Sequence, residues 1–358
     1  MLVTVPRETK PGETRVALTP DGVRALRDAG HEVWVQRGAG AASHYPDAEY
    51  AAAGARLVRK AAAWKGELVL KVKEPTPAEH ELLTDQVLFA YLHLAANPTL
   101  AAALADAGTL GISYDTVRGA DGSLPLLAPM SRIAGRLAVI EGAHHLLAQQ
   151  GGRGVLLSGL DGVHGADVVV LGAGVAGSEA TLLASAMGAN VTVLDLNPER
   201  LKAVAAHPLR SVTTVESTPE TVAQAVTNAD LVIGAVLVPG RRAPKVVTHE
   251  MVTRMRRGSV LIDIAIDQGG CFEDSRPTTH GRPTFRVGAS TFYCVANMPG
   301  AAGATATRAL TDATLPYVLA LASGVEEALA ADAGLAAGVN TRDGAVVHPD
   351  VIAGLAQG

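Results

Sequence analysis

Four ionisable residues near the start of the chain have side chains suited to binding and protonating a small carboxylate. Arg15 lies in a loop rich in charge, where a fixed guanidinium could grip a carboxylate at two points. Lys71 and Lys73 end an apolar strand, and alternation predicts that both point to one face. His93 follows another apolar strand, and histidine titrates where proton transfer near neutral pH needs it. Arginine, lysine and histidine residues more often have a structural role or lie in solvent, so the surroundings of these four must decide whether they are functional.

Two acids interrupt an apolar segment later in the chain. Asp263 and Asp267 lie in the run Leu261–Gly270, where a carboxylate is costly unless it is paired or functional. The glycine pair at the end of this run would let a ligand or a loop approach closely. His144 and His145 are adjacent, but no cysteine or carboxylate stands at ligand spacing, so we predict no metal site.

The most specific motif is Gly-Ala-Gly-Val-Ala-Gly at residues 172–177, between an apolar strand and a helix. Gly172 permits the tight turn, Gly174 lets a pyrophosphate approach the backbone, and Gly177 lets the helix pack on the strand. Asp195 follows at the distance of about 20 residues that the dinucleotide fingerprint requires. Its carboxylate would accept hydrogen bonds from a ribose 2′-OH and repel a 2′-phosphate. The motif therefore predicts NAD rather than NADP.

An alternative interpretation is that these glycines only allow close packing, in an α/β protein that binds no nucleotide. The strand, the helix and the acid around the motif favour the dinucleotide site. The sequence has no G-x-S-x-G elbow and no G-x-x-x-x-G-K-[ST] loop, which disfavours hydrolases and kinases.

Composition narrows the class of protein further. The 358 residues are 48% hydrophobic and 18% charged, which is typical of a folded chain long enough for two domains. The net charge of −5 argues against a nucleic-acid partner. We see no signal-peptide core and no apolar run near the ~18 residues that span a bilayer. Only two cysteines are present, which suits a reducing compartment and predicts a cytoplasmic location.

The elements that must position these residues alternate between strand and helix, as in parallel βαβ units. The apolar pattern predicts strands at Leu2–Val5, Glu32–Gln36, Leu68–Val72, Val87–Tyr91, Asp167–Leu171, Asn190–Leu194, Leu231–Val236 and Ser259–Ile264, and helices at 21–29, 131–150, 178–187 and throughout the Ala-rich tail 309–358. We predict two Rossmann-like, doubly wound parallel-sheet α/β domains. The NAD-binding domain, 128–304, is inserted into a discontinuous substrate domain formed by 1–127 and 305–358.

Several segments, taken together, resemble the alanine dehydrogenase family, within the alanine dehydrogenase and transhydrogenase N-terminal superfamily. They cover nearly the whole chain and include PRETKPGETRVALTP (6–20), LVLKVKEP (68–75), YLHLAA (91–96), LPLLAPMS (124–131), VVVLGAGVAG (168–177), LVIGAVLVPG (231–240), LIDIAIDQGGCFEDSRPTTH (261–280) and FYCVANMPG (292–300).

The resemblance implies reversible, NAD-dependent oxidative deamination of L-alanine to pyruvate and ammonia. It implies that Arg15 and Lys73 bind the substrate and that His93 and Asp267 transfer protons. It further implies that Met130 borders the nicotinamide and that the cofactor is bound by Gly172, Gly174, Val175, Ala176, Gly177, Asp195, Ser131, Val238, Ile266, Asn297 and Met298. A homohexamer is implied as well, without a membrane partner.

The chain departs from the family pattern at Ala301–Thr307, where a Val-Pro-Arg/Lys-Thr-Ser-Thr type segment is usual. This departure questions the rigidity of that segment and its contribution to cofactor affinity or subunit contacts. Two alternatives share the fold: the NAD-binding subunit of a proton-translocating transhydrogenase, and a lysine-forming saccharopine dehydrogenase. Lys73 and Asp267, which transhydrogenase subunits tend to lose or replace, favour the enzyme. Nothing in the sequence demands the roomier, more acidic pocket of the second alternative.

Overall fold

The computed structural model describes residues 1–208, 211–236 and 243–356. The chain divides into two compact units, one formed by Met1–Met130 with Gly300–Gly358 and the other by Ser131–Pro299. In the described part of the chain the strands are β1 (Leu2–Val5), β2 (Glu32–Gln36), β3 (Arg56–Val58), β4 (Leu68–Leu70), β5 (Val87–Ala90), β6 (Leu110–Ser113), β7 (Asp167–Leu171), β8 (Asn190–Asp195), β9 (Val212–Glu216), β10 (Leu231–Gly234), β11 (Val260–Asp263), β12 (Thr284–Val287), β13 (Ser290–Tyr293), β14 (Val339–Arg342) and β15 (Ala345–Val346).

The helices are distributed along both units. Among the described residues they are α1 (Pro20–Asp28), α2 (Asp47–Ala52), α3 (Lys60–Ala63), α4 (Pro98–Asp106), α5 (Ala128–His145), α6 (Val175–Ala186), α7 (Pro198–Ala205), α8 (Pro219–Asn228), α9 (His249–Thr253), α10 (Gly303–Ser323), α11 (Val325–Ala331), α12 (Ala333–Ala336) and α13 (Pro349–Leu355). Over these residues, no helix combines the length and apolar character needed to cross a membrane.

Both sheets are doubly wound. The first has the order β15-β14-β6-β5-β4-β1-β2-β3, and β1 to β6 are parallel. The second has the order β12-β13-β11-β10-β7-β8-β9, with only β12 antiparallel. In each sheet the chain reverses its direction of winding at its first strand, β1 or β7. Ligands of open α/β sheets bind at this switch point, outside the carboxyl ends of the strands.

The core of the second unit lies on both faces of its sheet. Val168 and Val170 of β7 pack into one apolar cluster, and Val169 and Leu171 pack into another. Since successive side chains of a strand point to opposite faces, a strand covered on both sides must be apolar throughout. The uninterrupted apolar run of β7 is explained by this burial.

Local signals fix the first helix. Thr19 caps α1 by accepting a hydrogen bond from the Gly22 N–H, and Pro20 occupies the first turn, where its missing N–H costs nothing. Val23 and Leu26 are buried on the inner face.

The predicted fold class, two Rossmann-like α/β units, is confirmed, but the prediction of a wholly helical tail is wrong. β14 pairs antiparallel with β6 and turns into β15, so the tail extends the first sheet. Asp343 and Gly344 form the two-residue turn, both with positive φ (50° and 75°). Asp-Gly is a strong signal for this type of hairpin, and the alanine-rich composition of the preceding residues hid it.

Candidate functional site

The switch point of the first sheet is lined by the residues that follow β1 and β4. Glu8, Glu13 and Arg15 come after β1 and help to line a cavity of about 240 Å³ in the first unit, together with Arg7, Gly38, Ala39, Ala41 and Ala42. Lys71 and Lys73 come directly after β4, and His93 comes three residues after β5. The topology therefore brings all the predicted substrate and proton-transfer residues of this unit to one edge of its sheet.

Arg15 is buried and held by an acid that sequence reasoning missed. Glu13 accepts hydrogen bonds from the Arg15 backbone N–H, Nε and Nη2 at 2.9, 2.7 and 2.5 Å. The remaining nitrogen, Nη1, lies 2.9 Å from the sulfur of Met130. Burial lowers the pKa of Arg15, but the hydrogen bonds and charge of Glu13 outweigh it and raise that pKa above its ordinary value. Arg15 is thus a permanent cation with a fixed plane.

Gly300, just before the atypical segment, and Thr307, at its end, anchor the backbone on the two sides of Arg15. The Thr14 hydroxyl donates to the Gly300 carbonyl at 2.6 Å, and the Val16 N–H donates to Thr307 Oγ1 at 3.1 Å. The segment is ordered as a 3₁₀ turn followed by the start of α10. In this part of the chain, hydroxyl and backbone hydrogen bonds hold the residues on either side of Arg15.

Lys71 is fully buried between two acids, Glu8 and Glu79. Its ammonium donates to Glu8 Oε2 at 3.1 Å, lies 3.8 Å from Glu79 Oε1, and sits over the ring of Trp64. Burial raises the pKa of Glu8, although the charge of Lys71 opposes that shift. Lys71 is therefore engaged by acids of its own unit.

Glu8 also holds the backbone that carries Lys73. Its two carboxylate oxygens accept hydrogen bonds from the Val72 and Lys73 N–H groups at 2.7 and 3.4 Å. Beyond Lys73, Glu74 pairs with Lys10. Burial raises the pKa of Glu74, but the hydrogen bond from Lys10 and the charges of Lys73, Lys10 and His93 together lower it below its ordinary value. The strand end is thus fixed by buried carboxylates.

His93 adopts a left-handed backbone (φ 48°, ψ 39°), which is uncommon for a residue with a side chain. Its ring stacks on Tyr91 with an angle of 4° between the planes, and Nδ1 lies 3.6 Å from Asp115 Oδ2. Asp115 is itself held by Ser113. A histidine oriented by a carboxylate and left 40% exposed can exchange protons with a ligand.

The glycine motif of the second unit has the geometry that its sequence predicts. Gly172 has φ +99°, and a Cβ on Gly177 would collide with the Gly172 carbonyl. A Cβ on Gly174, in contrast, would point into open space. α6 begins at Val175, directly after Gly174, so the N–H groups of its first turn face that space without intrahelical partners. The residues present therefore fit a pyrophosphate.

Asp195 ends β8 beside this turn. Its Oδ2 accepts from the Ala173 N–H at 2.6 Å and its Oδ1 from the Asn197 N–H at 2.7 Å. Arg200 Nη1 lies 3.8 Å from Oδ2. The carboxylate is locked at the end of the second strand, where a ribose hydroxyl binds in the dinucleotide fingerprint.

Asp263 and Asp267 differ sharply in environment. Asp263 is fully buried and accepts hydrogen bonds from several N–H groups, whereas Asp267 is exposed on the 3₁₀ helix Ile264–Gln268. Burial raises the pKa of Asp263, against the hydrogen bonds of Ser275, Phe272 and Cys271. Asp263 is therefore a structural acid, and Asp267 is the one available to a ligand.

The other predicted cofactor residues are spread over the second unit. Ser131 is half-buried in α5, and Ile266 and Met298 are buried. Asn297 has a left-handed backbone with φ 60°. Val238 lies outside the described residues. In the described ranges, no cluster of three or more His, Cys, Asp or Glu could hold a metal ion. The ligand contacts of all these residues stay predictions.

Comparison with known proteins gives matches along both units. The family models "Alanine dehydrogenase/PNT, N-terminal domain" and "Alanine dehydrogenase/PNT, C-terminal domain" match residues 4–134 and 138–349. An alanine dehydrogenase of Mycobacterium tuberculosis is 53% identical over 355 residues, which are 98% of this chain and 96% of the relative.

Two solved structures have a similar fold. An L-alanine dehydrogenase superposes with a TM-score of 0.95 at 48% identity, covering 100% of this chain and 99% of the other. A transhydrogenase from Sinorhizobium meliloti gives a TM-score of 0.82 at 29% identity, covering 98% and 99%. Since the two family models together span nearly the whole chain, the chain belongs to the alanine dehydrogenase/PNT family.

Proposed function

We propose that the chain catalyses the reversible, NAD-dependent oxidative deamination of L-alanine to pyruvate and ammonia. The observation that carries this proposal is the 53% identity to an alanine dehydrogenase over the full length. It is supported by Arg15, Lys73, His93 and Asp267, which all lie beyond the carboxyl ends of parallel strands. Lysine-forming saccharopine dehydrogenases are not favoured by any contact described above.

Arg15 and Lys73 are proposed to bind the substrate. A guanidinium held along one edge by Glu13 has a fixed plane, which suits the planar carboxylate of alanine or pyruvate. Lys73 supplies a point charge for the carbonyl oxygen of pyruvate. Fixing the carboxylate and the carbonyl oxygen orients the Cα–H bond for hydride transfer.

His93 and Asp267 are proposed to move protons. Loss of hydride from Cα leaves an iminium, and its hydrolysis requires a base to take a proton from water and an acid to protonate the departing amine. His93, oriented by Asp115, is proposed as the general acid and base at the substrate oxygen. Asp267 is proposed as the second group, near the amine or the attacking water.

NAD is the proposed cofactor, and it supplies a nicotinamide ring that accepts the hydride when it is bound. The glycine turn, the first turn of α6 and Asp195 would hold its pyrophosphate and ribose. Ser131, Val238, Ile266, Asn297 and Met298 are proposed as further contacts, with Met130 bordering the nicotinamide. The Asp195 carboxylate excludes a 2′-phosphate by charge repulsion, so NAD is preferred over NADP.

A second candidate is the NAD-binding subunit of a transhydrogenase, because a transhydrogenase shares the fold along nearly its whole length. In that case the chain binds NADH but turns over no amino acid. Lys73 and Asp267 favour the enzyme.

We also propose a cytoplasmic homo-oligomer, with a hexamer as the expected state. Leu156, Leu160 and Val163 expose 52, 64 and 59% of their surface around one short hairpin of the second unit. Leu160 and Val163 are paired across the hairpin, and a contiguous exposed apolar patch marks an interaction surface. Both cysteines are free and buried, which suits a reducing compartment.

The deciding experiment mixes the purified chain with NAD and L-alanine at alkaline pH and follows NADH absorbance. L-serine, L-lysine and glycine are tested alongside. Rapid reduction with alanine supports the proposal. Tight NADH binding without turnover of any amino acid supports the transhydrogenase subunit instead.

The same assay tests the proton-transfer residues. His93→Ala and Asp267→Asn should each abolish deamination while NADH binding stays near normal, because neither side chain is proposed to touch the dinucleotide phosphates. Near-full turnover in both variants would contradict their roles.

A further inference from the structure

The loop that carries Asp267 is held by two charged side chains, one bound to its N–H groups and the other to its carbonyl groups. It runs from the end of β11 through the 3₁₀ helix Ile264–Gln268 to Phe272. Asp263 engages its N–H groups and Lys245 engages its carbonyl groups. The two side chains come from different segments of the second unit.

Asp263 binds the two ends of the loop at once. Its Oδ1 accepts from the Ala265 N–H at 3.0 Å, and its Oδ2 accepts from the Cys271 and Phe272 N–H groups at 2.9 and 3.3 Å. The Ser275 hydroxyl also donates to Oδ2. Gly270, with φ +75°, has no room for a side chain, because a Cβ would lie 2.6 Å from Asp263 Oδ2. The loop is thus closed around one carboxylate.

Lys245 binds the opposite side. Its ammonium donates to the carbonyl oxygens of Gly269, Gly270 and Phe272 at 2.7, 2.9 and 2.9 Å. All three donors of a lysine ammonium are therefore used on carbonyl groups of one loop.

Backbone hydrogen bonds continue the attachment. Ala243 N–H donates to the Gln268 carbonyl at 3.0 Å, and Val246 N–H donates to the Cys271 carbonyl at 2.8 Å. The segment 243–247 thus lies along the whole second half of the loop.

We infer that Lys245 and Asp263 are positioning residues that fix Asp267 for proton transfer. This inference rests on the proposed function, since it requires Asp267 to take part in deamination. Asp267 stands between the Ala265 N–H held by Asp263 and the Gly269 carbonyl held by Lys245. Releasing either attachment lets the Asp267 carboxylate move relative to the substrate amine, and small displacements of a reacting group are costly.

Lys245 is the better residue to test, because it is exposed and its loss leaves no buried charge. Lys245→Met should lower kcat for alanine oxidation about tenfold, as expected for a misplaced catalytic group, while the NADH Kd and the unfolding midpoint change much less than kcat does. Lys245→Arg should recover most of kcat, because a guanidinium keeps the charge and donors. Lys202→Met, which removes an exposed lysine paired with Glu199, is the control and should keep full kcat.

Two results would overturn the inference. One is an unchanged kcat in Lys245→Met while Asp267→Asn is inactive. The other is a loss of kcat matched by an equal loss of NADH affinity and stability, which indicates a merely structural lysine. If Asp267→Asn itself keeps near-full turnover, the role proposed for Asp267 has failed and the inference falls with it, although alanine oxidation stands. If the wild type does not oxidise alanine, the proposed function has failed, and the inference falls with that as well. Asp263→Asn, which removes acceptors from buried N–H groups, should lower both kcat and stability.

Discussion

Glu13 holds Arg15 along one full edge of its guanidinium, through Nε at 2.7 Å and Nη2 at 2.5 Å. Both side chains are buried, at 0 and 2% exposure. Because the guanidinium is planar, fixing one edge also fixes the direction of the other. Glu13 thereby offsets part of the positive charge of Arg15. It also determines the orientation in which an anion can bind to the guanidinium.

Glu13→Gln should weaken pyruvate binding while leaving NADH binding intact. The amide retains one acceptor and cannot accept from both Nε and Nη2, so the guanidinium loses its fixed plane. A hydrogen bond to a charged group contributes about 1.5 kcal/mol or more, so we expect KM for pyruvate to rise about tenfold. Steady-state kinetics of reductive amination measure it. Glu67→Gln, which alters an acid that accepts from the Leu2 N–H, is the control. An unchanged KM in Glu13→Gln would refute the orienting role.

Asp195→Ala should weaken NAD binding and relax the discrimination against NADP. The change removes the charge that repels a 2′-phosphate and leaves Arg200, now 3.8 Å from Asp195, without that partner. A like-charge contact costs several kcal/mol, so the ratio of kcat/KM for NAD over NADP should fall by about tenfold or more. Glu220→Ala, on the exposed start of α8, should leave the ratio unchanged. A ratio equal to that of the wild type in Asp195→Ala would show that another group selects the cofactor.

The nucleotide turn could be predicted from sequence because its physics is local. Gly172, Gly174 and Gly177 need only the strand before them and the helix after them to take their places. Strands β1, β2, β4 and β5 of the first unit were also predicted, since buried parallel strands are short apolar runs, whereas β3 and β6 were not. The start of α6 at Val175 was predicted three residues late, at Ser178, because the glycines hide the first turn.

Contacts between residues that are distant in sequence, such as that between Glu8 and Lys71, could not be predicted in the same way. Glu8 lies 63 residues from Lys71 in sequence, and their ion pair exists only once β1 and β4 are neighbours. Lys245 contacts the loop after β11 from 24 residues away in sequence, so this contact too exists only in the folded unit. Glu13 is the exception, because its spacing of two residues from Arg15 is visible in the sequence. An acid so close to a predicted anion-binding arginine was the signal that could have found it.

Lys71→Met should destabilise the first unit. The change leaves Glu8 and Glu79 buried without the ammonium between them, and removing one partner of a buried ion pair costs about 3–5 kcal/mol. Denaturant unfolding followed by tryptophan fluorescence measures it, since Trp64 contacts Lys71.

A second substitution tests the electrostatic cause of that loss. Glu8→Gln added to Lys71→Met removes one of the stranded carboxylates and should recover part of the lost stability. Lys65→Met, at an exposed position nearby, is the control. Equal stability of the Lys71→Met and Lys65→Met variants would rule out a stabilising role for the buried pair.

Stability of the second unit should fall as the pH decreases through the histidine range. Burial and then the charge of His144 lower the pKa of His145 from its ordinary 6.5. The unfolded chain therefore binds a proton at a higher pH than the native chain does, and the free energy of unfolding decreases below pH 6.5. His145→Gln should make this decrease shallower in denaturant titrations between pH 7 and pH 5. His207→Gln, at an exposed position, should not. Identical slopes for wild type and His145→Gln would exclude His145 as a contributor.

Leu160→Asp should break the proposed oligomer into smaller species. Leu160 and Val163 exchange backbone hydrogen bonds of 3.0 and 2.8 Å, so the hairpin fixes their backbone, and both apolar side chains are more than half exposed. A charge there cannot be desolvated when two copies meet, whereas the isolated chain keeps it in water. Ile352→Asp, at a 49% exposed apolar position on α13, is the matched control. Multi-angle light scattering should show a lower mass for Leu160→Asp only. If the masses are equal, the hairpin is not the assembly surface, and if Ile352→Asp alone dissociates, the surface lies on the first unit instead.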